Sequence, residues 1–164
     1  MEDILRQIRH FINRPRKQYN LIKQLPYWHQ LCSSLDTIGD TQYAVDAYLK
    51  IKSEENKGRL YLLVYGLFQA LYLQQDAVKN LCEALGIPVD QRKYPKLQDM
   101  RYIRNESVGH PTKKKQSKGM HSYHYISGIT LTLDEFELLT YFHDSEFETK
   151  NISVKECITS QEKY

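Results

Sequence analysis

An arginine and a histidine lie six positions apart in the stretch YIRNESVGHPTKKK, residues 102 to 115. Asn105 directly follows Arg104, and His110 precedes a proline. RNA cleavage without a metal ion needs a base that takes the 2′-hydroxyl proton and an acid that protonates the leaving 5′-oxygen, and histidine suits both roles because its unperturbed pKa is about 6.5. Arginine stays charged and presents a planar fork to phosphate oxygens, where negative charge develops. These residues are therefore a candidate RNA-cleaving site, in which Asn105 can orient the phosphate or the histidine.

A run of lysines follows this site, in a segment that we expect to be an exposed loop. Lysine side chains can hold the phosphates of RNA through contacts that depend on salt and not on sequence. The candidate RNA-binding residues are Lys113, Lys114, Lys115 and Lys118.

Ordinary structural roles would also account for the same residues. Arg104 could form a surface salt bridge with Glu106 or Asp99. His110 could be the C-cap of a helix, where the helix dipole favours a cation. The lysines could be a solvated basic loop.

The spacing of the two candidate catalytic residues raises a geometric problem. On a straight α-helix, a separation of six residues moves two side chains about 9 Å apart along the axis and about 120° around it. Arg104 and His110 can meet if the helix loosens at Gly109. They can also meet if a two-fold dimer places both copies of the motif around one cleft. Such a dimer would bury the apolar side chains of Met100, Tyr102 and Ile103.

The element expected to support the site is a long helix over residues 58 to 85. Its apolar residues recur at helical spacing, and Gly86 and Pro88 are typical of a helix end. A helix of about 28 residues would be roughly 42 Å long. The residues on its expected buried stripe are Leu60, Val64, Leu67, Leu71, Gln74, Val78, Leu81 and Leu85.

The R-N-x4-H pattern at the end of a late helix, together with the long helix that contains YGLFQALYLQQDAVKNL, resembles the HEPN family. The resemblance spans about residues 40 to 112. It implies an all-α fold, a bundle of about four to six helices, and a metal-independent endoribonuclease of the kind found in defence and toxin systems. It further implies a homodimer with a composite active site, and a cognate antitoxin or defence partner. In some toxin–antitoxin members a tyrosine lies two residues after the histidine, whereas this sequence has Thr112.

The residues after this core have a different composition. SYHYISGITLTL is dense in Tyr, Ile and Thr, which predicts a small β-hairpin near residues 123 to 132. Thr132 and Glu135 form a capping-box pattern, which predicts a final helix through about His143. We therefore expect a hairpin and helix extension over residues 120 to 145, followed by a polar tail that is loose at its end.

The composition is that of an ordinary globular protein with one domain over residues 1 to 164. Its net charge of +3 permits a polyanionic partner without requiring one. The three separated cysteines and the lack of a visible secretory signal predict a cytoplasmic protein with free thiols, and the longest apolar run is too short to span a membrane.

His121 and His124 would point to opposite faces of a strand, so we expect neither a metal site nor a cofactor. The alternative function is a non-catalytic RNA-binding, nucleotide-binding or protein-interaction module.

Overall fold

The structure is a computed structural model that describes residues 2–115, 120–142 and 147–162, without the side chains of Gln91 and Glu162. These residues form a mainly helical fold with one small antiparallel sheet, so the mainly helical class expected from the sequence is confirmed. The helices are α1 (Glu2–Ile12), α2 (Pro15–Ile22), α3 (Leu25–Leu49), α4 (Lys57–Ala84), α5 (Pro95–Arg104) and α6 (Val154–Glu162). The strands are β1 (Lys114–Lys115), β2 (His121–Ile126), β3 (Glu135–Phe142) and β4 (Phe147–Ser153), and a short 3₁₀ turn (Gln91–Lys93) precedes α5.

Helix α4 confirms the long helix expected from the sequence and packs along α3 as the centre of the molecule. It begins where the Asn56 side chain accepts a hydrogen bond from the backbone N–H of Arg59 at 3.0 Å. It ends before Gly86, whose φ of 69° only glycine adopts without strain. Val78 and Leu85 are exposed, because Ala77 takes the buried position on the last turns.

Two groups of buried side chains pack against α4, one along its first half and one near its end. The smaller group joins α1 and the first half of α3 to the end of α4. The larger group joins the first half of α4 to α5, the sheet and α6. Its members include Val64, Phe68, Met100, Phe136, Leu138, Ile152 and Ile158.

The sheet has the strand order β1-β2-β3-β4, and each strand runs antiparallel to the next. A β-hairpin was expected at residues 123 to 132, but its second strand does not begin until Glu135. Residues 127 to 134 form the connection between β2 and β3. The prediction of a final helix from Thr132 to His143 is wrong, because β3 occupies residues 135 to 142 and His143 lies outside the described residues.

The reason for this error is visible in the hydrogen bonds of Thr132. Its Oγ1 accepts from the backbone N–H groups of Asp134 and Glu135 at 3.2 and 3.1 Å, as it would at a helix start. It also donates to the carbonyl of Glu135 at 2.9 Å, which closes a turn. Phe136 and Leu138, which are two positions apart on β3, are both buried on one face of the strand. Burial of this face outweighs the local helix signal.

The C-terminal tail was expected to be polar and loose at its end. That end lies outside the described residues, so its looseness stays a prediction. The segment before it has regular secondary structure. It forms β4 and α6. Ile152, Val154 and Ile158 are each at most 4% exposed and belong to the larger buried group. These three apolar residues therefore anchor a segment that is otherwise mostly polar. Within the described residues, none of the helices has the length and apolar character that a membrane span requires.

Candidate functional site

The helix that carries the candidate site changes its hydrogen-bond pattern immediately after Arg104. Residues Asn105–Gly109 form a π-helical turn, and the N–H of His110 donates to the carbonyl of Asn105 at 2.8 Å. Such a turn spans five residues between donor and acceptor, so it is wider than an α-turn. The sequence suggested that the helix could loosen at Gly109. In the structure the wider turn extends over the whole segment Asn105–Gly109. Because of this wider turn, His110 lies one helical turn after Asn105.

The Arg104 guanidinium is held by uncharged partners. Its Nε and Nη2 donate to the Gln69 Oε1 at 3.1 and 2.6 Å, and its Nη1 donates to the Asn105 Oδ1 at 2.9 Å. The guanidinium carbon lies 4.2 Å from the ring centroid of Tyr72. Because neither amide nor ring carries a charge, the positive charge of Arg104 is positioned without being neutralised.

The neighbouring arginine is held differently. Arg101 donates to the Asp76 carboxylate at 2.7 Å and also lies 4.2 Å from the Tyr72 ring centroid. Glu106, suggested as a salt-bridge partner of Arg104, pairs with Lys114 instead. Of the two arginines beside Tyr72, Arg104 is therefore the one with amide partners.

Gly109 lies directly against the guanidinium of Arg104. A Cβ atom built on Gly109 would be 2.7 Å from Arg104 Nη1, closer than side chains approach one another. The absence of a side chain therefore allows Arg104 to fold back along the π-helical turn. Arg104, Asn105 and the backbone next to His110 are gathered at one end of α5.

His110 ends the π-helical turn and is exposed. Its backbone leaves the helical region with a φ of −138° and a ψ of 53°, as expected before Pro111. The imidazole is thus on the surface, at the same end of α5 as the guanidinium of Arg104. A ligand from solvent can reach it.

The lysine segment is only partly the loop that the sequence predicted. Lys114 and Lys115 form strand β1, which pairs with Ser122 and His121 of β2. Lys113 and Lys115 are exposed, but Lys114 Nζ lies 3.0 Å from Glu106 Oε1. Lys118 lies outside the described residues.

A buried polar cluster joins the π-helical turn to the sheet. Glu106, Ser122 and His124 are at most 3% exposed. His124 Nε2 lies 2.8 Å from Ser122 Oγ and 3.7 Å from Glu106 Oε1, while its Nδ1 lies 2.9 Å from Thr140 Oγ1. Burial lowers the pKa of His124 despite the nearby Glu106 carboxylate, so His124 is neutral at neutral pH. The ion pair of the cluster is therefore Lys114 with Glu106.

Tyr102 covers this cluster on the outside. Lys114 Nζ lies 4.1 Å from the Tyr102 ring centroid. Partial burial and a hydrogen bond with Glu106 raise the pKa of Tyr102 to about 12. A surface pocket of about 380 Å³ opens here, lined by Tyr102, Glu106, Thr140 and Glu148 among others.

Sequence reasoning missed the residues that hold Arg104. Gln69 interrupts the apolar run of α4 between two buried residues, Phe68 and Ala70, and this interruption was the available signal. Gln74 and Gln75 also interrupt the apolar run of α4, and both are buried. They bond to residues of α3 and α6: Gln74 to Gln42 at 3.2 Å, and both to Gln161 at 2.6 and 3.0 Å.

The two histidines of β2 point to opposite faces, as the sequence predicted. His124 is buried in the cluster, whereas His121 lies on the other face opposite Lys115. Within the described ranges, no group of three or more His, Cys, Asp or Glu side chains could hold a metal ion.

One expected feature of a dimer interface is wrong. Met100 and Ile103 are 2% and 7% exposed and pack inside the chain's own core, so they are not available to a second copy. Tyr102 is the exception, with half of its surface exposed.

Comparisons of the chain with protein-family models, with curated proteins and with solved structures found no match.

Proposed function

We propose that this protein is a metal-independent endoribonuclease whose site consists of Arg104, Asn105 and His110. The observation that carries the proposal is the setting of Arg104. An arginine fixed by a glutamine, an asparagine and a tyrosine ring is pre-oriented and keeps its charge. Pre-oriented charge is what a phosphorane-like transition state requires, because no reorganisation is needed when the negative charge develops.

The roles follow from the chemistry of each group. Arg104 binds the scissile phosphate and stabilises the charge that builds on its oxygens. His110 moves protons between the 2′-hydroxyl, the imidazole and the leaving 5′-oxygen. Asn105 holds the guanidinium through its carbonyl oxygen, and its amide N–H groups can orient the phosphate or the imidazole. The products are a 2′,3′-cyclic phosphate and a 5′-hydroxyl.

The homodimer implied by the HEPN resemblance is a further part of this proposal. The geometric reason for it has become weaker, since the π-helical turn already provides the loosening that a single chain needs. Light scattering across a dilution series tests the dimer. A monomer with full activity would place the whole site in one chain, and a dimer that persists in His110→Ala would support a homodimer whose interface does not depend on His110.

A role in a defence or toxin system, with a cognate protein partner, belongs to the same proposal and is supported by the resemblance alone.

The second candidate function is a non-catalytic RNA-binding module. It is favoured by Lys113 and Lys115, which are exposed next to the site. RNA binding with a steep salt dependence and without turnover would select it.

The test of the reaction class is incubation of the purified protein with mixed single-stranded RNA in excess EDTA, followed by analysis of the product ends. We expect cleavage with 2′,3′-cyclic phosphate and 5′-hydroxyl ends. Cleavage that disappears on chelation, or products with 5′-phosphate ends, would refute the mechanism.

A further inference from the structure

The exposed face of the sheet carries a row of aromatic side chains. Strand register places Tyr123 opposite Tyr141, and Tyr141 opposite Phe147, so the three lie on one face across β2, β3 and β4. Tyr125 is two residues beyond Tyr123 and shares this face. These four residues, here called the aromatic row, are 38%, 47%, 40% and 58% exposed for Tyr123, Tyr125, Tyr141 and Phe147.

The rings of the aromatic row are aligned with one another. The planes of Tyr125 and Tyr141 differ by 12° and those of Tyr141 and Phe147 by 24°, with ring centroids 5.8 Å apart in both pairs. The hydroxyl oxygens of Tyr125 and Tyr141 lie 3.2 Å apart, within hydrogen-bond distance, which helps to fix the two rings. A flat group that is parallel to the Tyr141 ring is within 24° of parallel to the other two rings.

Charge on this face is distributed unevenly. Lys115 pairs with His121, so both side chains lie on the same face as the aromatic row. They are at the end of the row that is next to Tyr123. Among the described residues, the acidic side chains of this face are Glu135 and Glu137, which lie at the opposite end of β3. A polyanion with flat bases would therefore be attracted to the Lys115 end and kept from the Glu135 end.

We propose that the aromatic row is a base-stacking platform for single-stranded RNA, with Lys115 and His121 holding the phosphates beside it. Single-stranded RNA is bound in this way by other sheets, whose exposed aromatic rings stack on successive bases. The inference rests on the proposed function for its choice of RNA as the ligand. It goes further by placing the strand on a surface separate from Arg104 and His110.

Strand β1 connects this platform to the candidate site. Lys114 points to Glu106 under the π-helical turn, and Lys115 points to the platform. Lys115 is five positions after His110 in the chain, so their Cα atoms are at most about 18 Å apart. A short RNA strand held on the platform can thus cross the edge at β1 and reach His110.

The test is the binding of a short fluorescein-labelled single-stranded RNA of mixed sequence, followed by anisotropy at low salt in a His110→Ala background that prevents cleavage. Tyr141→Leu and Phe147→Leu remove one ring each and keep an apolar side chain. We expect each to weaken binding by about fivefold or more. Tyr43→Leu, which changes a tyrosine that is 65% exposed on α3, is the matched control and should bind like the parent.

Unchanged affinity in the folded ring variants would overturn the platform, and so would equal affinity for duplex RNA, whose bases cannot stack on the rings. If Tyr141→Leu does not fold, Phe147→Leu decides, because Phe147 is the most exposed ring of the row. Ring-dependent binding, together with an absence of cleavage by the wild-type protein, would keep the platform and remove the proposed reaction. Cleavage by the wild-type protein, with unchanged binding in the ring variants, would keep the proposed reaction and remove the platform.

Discussion

The Lys114 ammonium lies 3.0 Å from a Glu106 carboxylate oxygen whose side chain is only 4% exposed. This contact ties strand β1 to the π-helical turn that contains Asn105. Removal of one partner of a buried ion pair leaves an uncompensated charge and costs about 3–5 kcal/mol. Because the Lys114 side chain is itself 26% exposed, we expect a smaller effect here.

Lys114→Ala should therefore lower the free energy of unfolding by about 2–3 kcal/mol, measured by urea denaturation. Lys113→Ala and Lys115→Ala are the controls, since both residues are exposed and should change stability by less than about 0.5 kcal/mol. Equal stability of all three variants would mean that the Glu106 pair contributes nothing. The sequence suggested one uniform set of RNA-binding lysines, whereas the structure gives Lys114 a separate role.

The buried histidine predicts how stability depends on pH. Since burial lowers the pKa of His124 in the folded protein, the unfolded chain binds a proton more readily. Stability should be highest above the unfolded pKa of about 6.5, and should fall as the pH decreases from there through the lowered folded pKa.

Thermal unfolding across this acid range checks the effect. His124→Gln should flatten the acid-side loss, because the titrating group is gone while a polar side chain remains between Ser122 and Thr140. His10→Gln, on the exposed surface of α1, controls for the removal of a histidine. An identical acid-side slope in wild type and His124→Gln would show that His124 is not responsible.

The uncharged environment of Arg104 can be tested by adding one charge. Gln69→Glu keeps an oxygen at the position that now lies 2.6 and 3.1 Å from the guanidinium nitrogens, but neutralises the arginine. We expect RNA cleavage to fall by about tenfold or more without loss of stability. Single-turnover rates and urea denaturation of the same samples separate the two effects. Full activity in Gln69→Glu would show that cleavage does not depend on the positive charge of Arg104.

The close approach of Gly109 to Arg104 predicts a second loss of activity. In Gly109→Ala the new methyl group would lie 2.7 Å from Arg104 Nη1, so the guanidinium must move. A displacement on the order of 1 Å can lower a rate by about 100-fold. Gly66→Ala is the matched control on α4, where a Cβ meets nothing within 4 Å. It should stabilise the protein by about 0.5–1 kcal/mol and leave cleavage unchanged. Wild-type cleavage by Gly109→Ala would show that the position of the guanidinium is not critical.

The elements that follow from local periodicity were predictable, and α4 is the example. Its apolar spacing and Gly86 identified both its type and its end. Strand β3 was not predictable in this way, because Thr132 and Glu135 carry a helix-start pattern and the decision is made by burial of Phe136 against Phe68 of α4. Contacts between segments far apart in sequence overrode the local signal.

The candidate site shows the same division. Arg104, Asn105 and His110 could be selected from residue type and spacing. Gln69 could not be assigned to them, since a contact across 35 positions depends on how α4 packs against α5. The pairing of Glu106 with Lys114 depends on the strand register of β1, which a run of three lysines does not encode.

Cleavage of single-stranded RNA in excess EDTA by Arg104→Ala and His110→Ala tests the central claim most directly, with Arg92→Ala as the control for an arginine whose side chain is 87% exposed. Single-turnover rates should fall by about 100-fold or more in the two site variants, because each removes a group that acts in the transition state. Arg92→Ala should cleave at the wild-type rate. Equal rates in all four proteins would contradict the assignment of Arg104 and His110 as the catalytic residues.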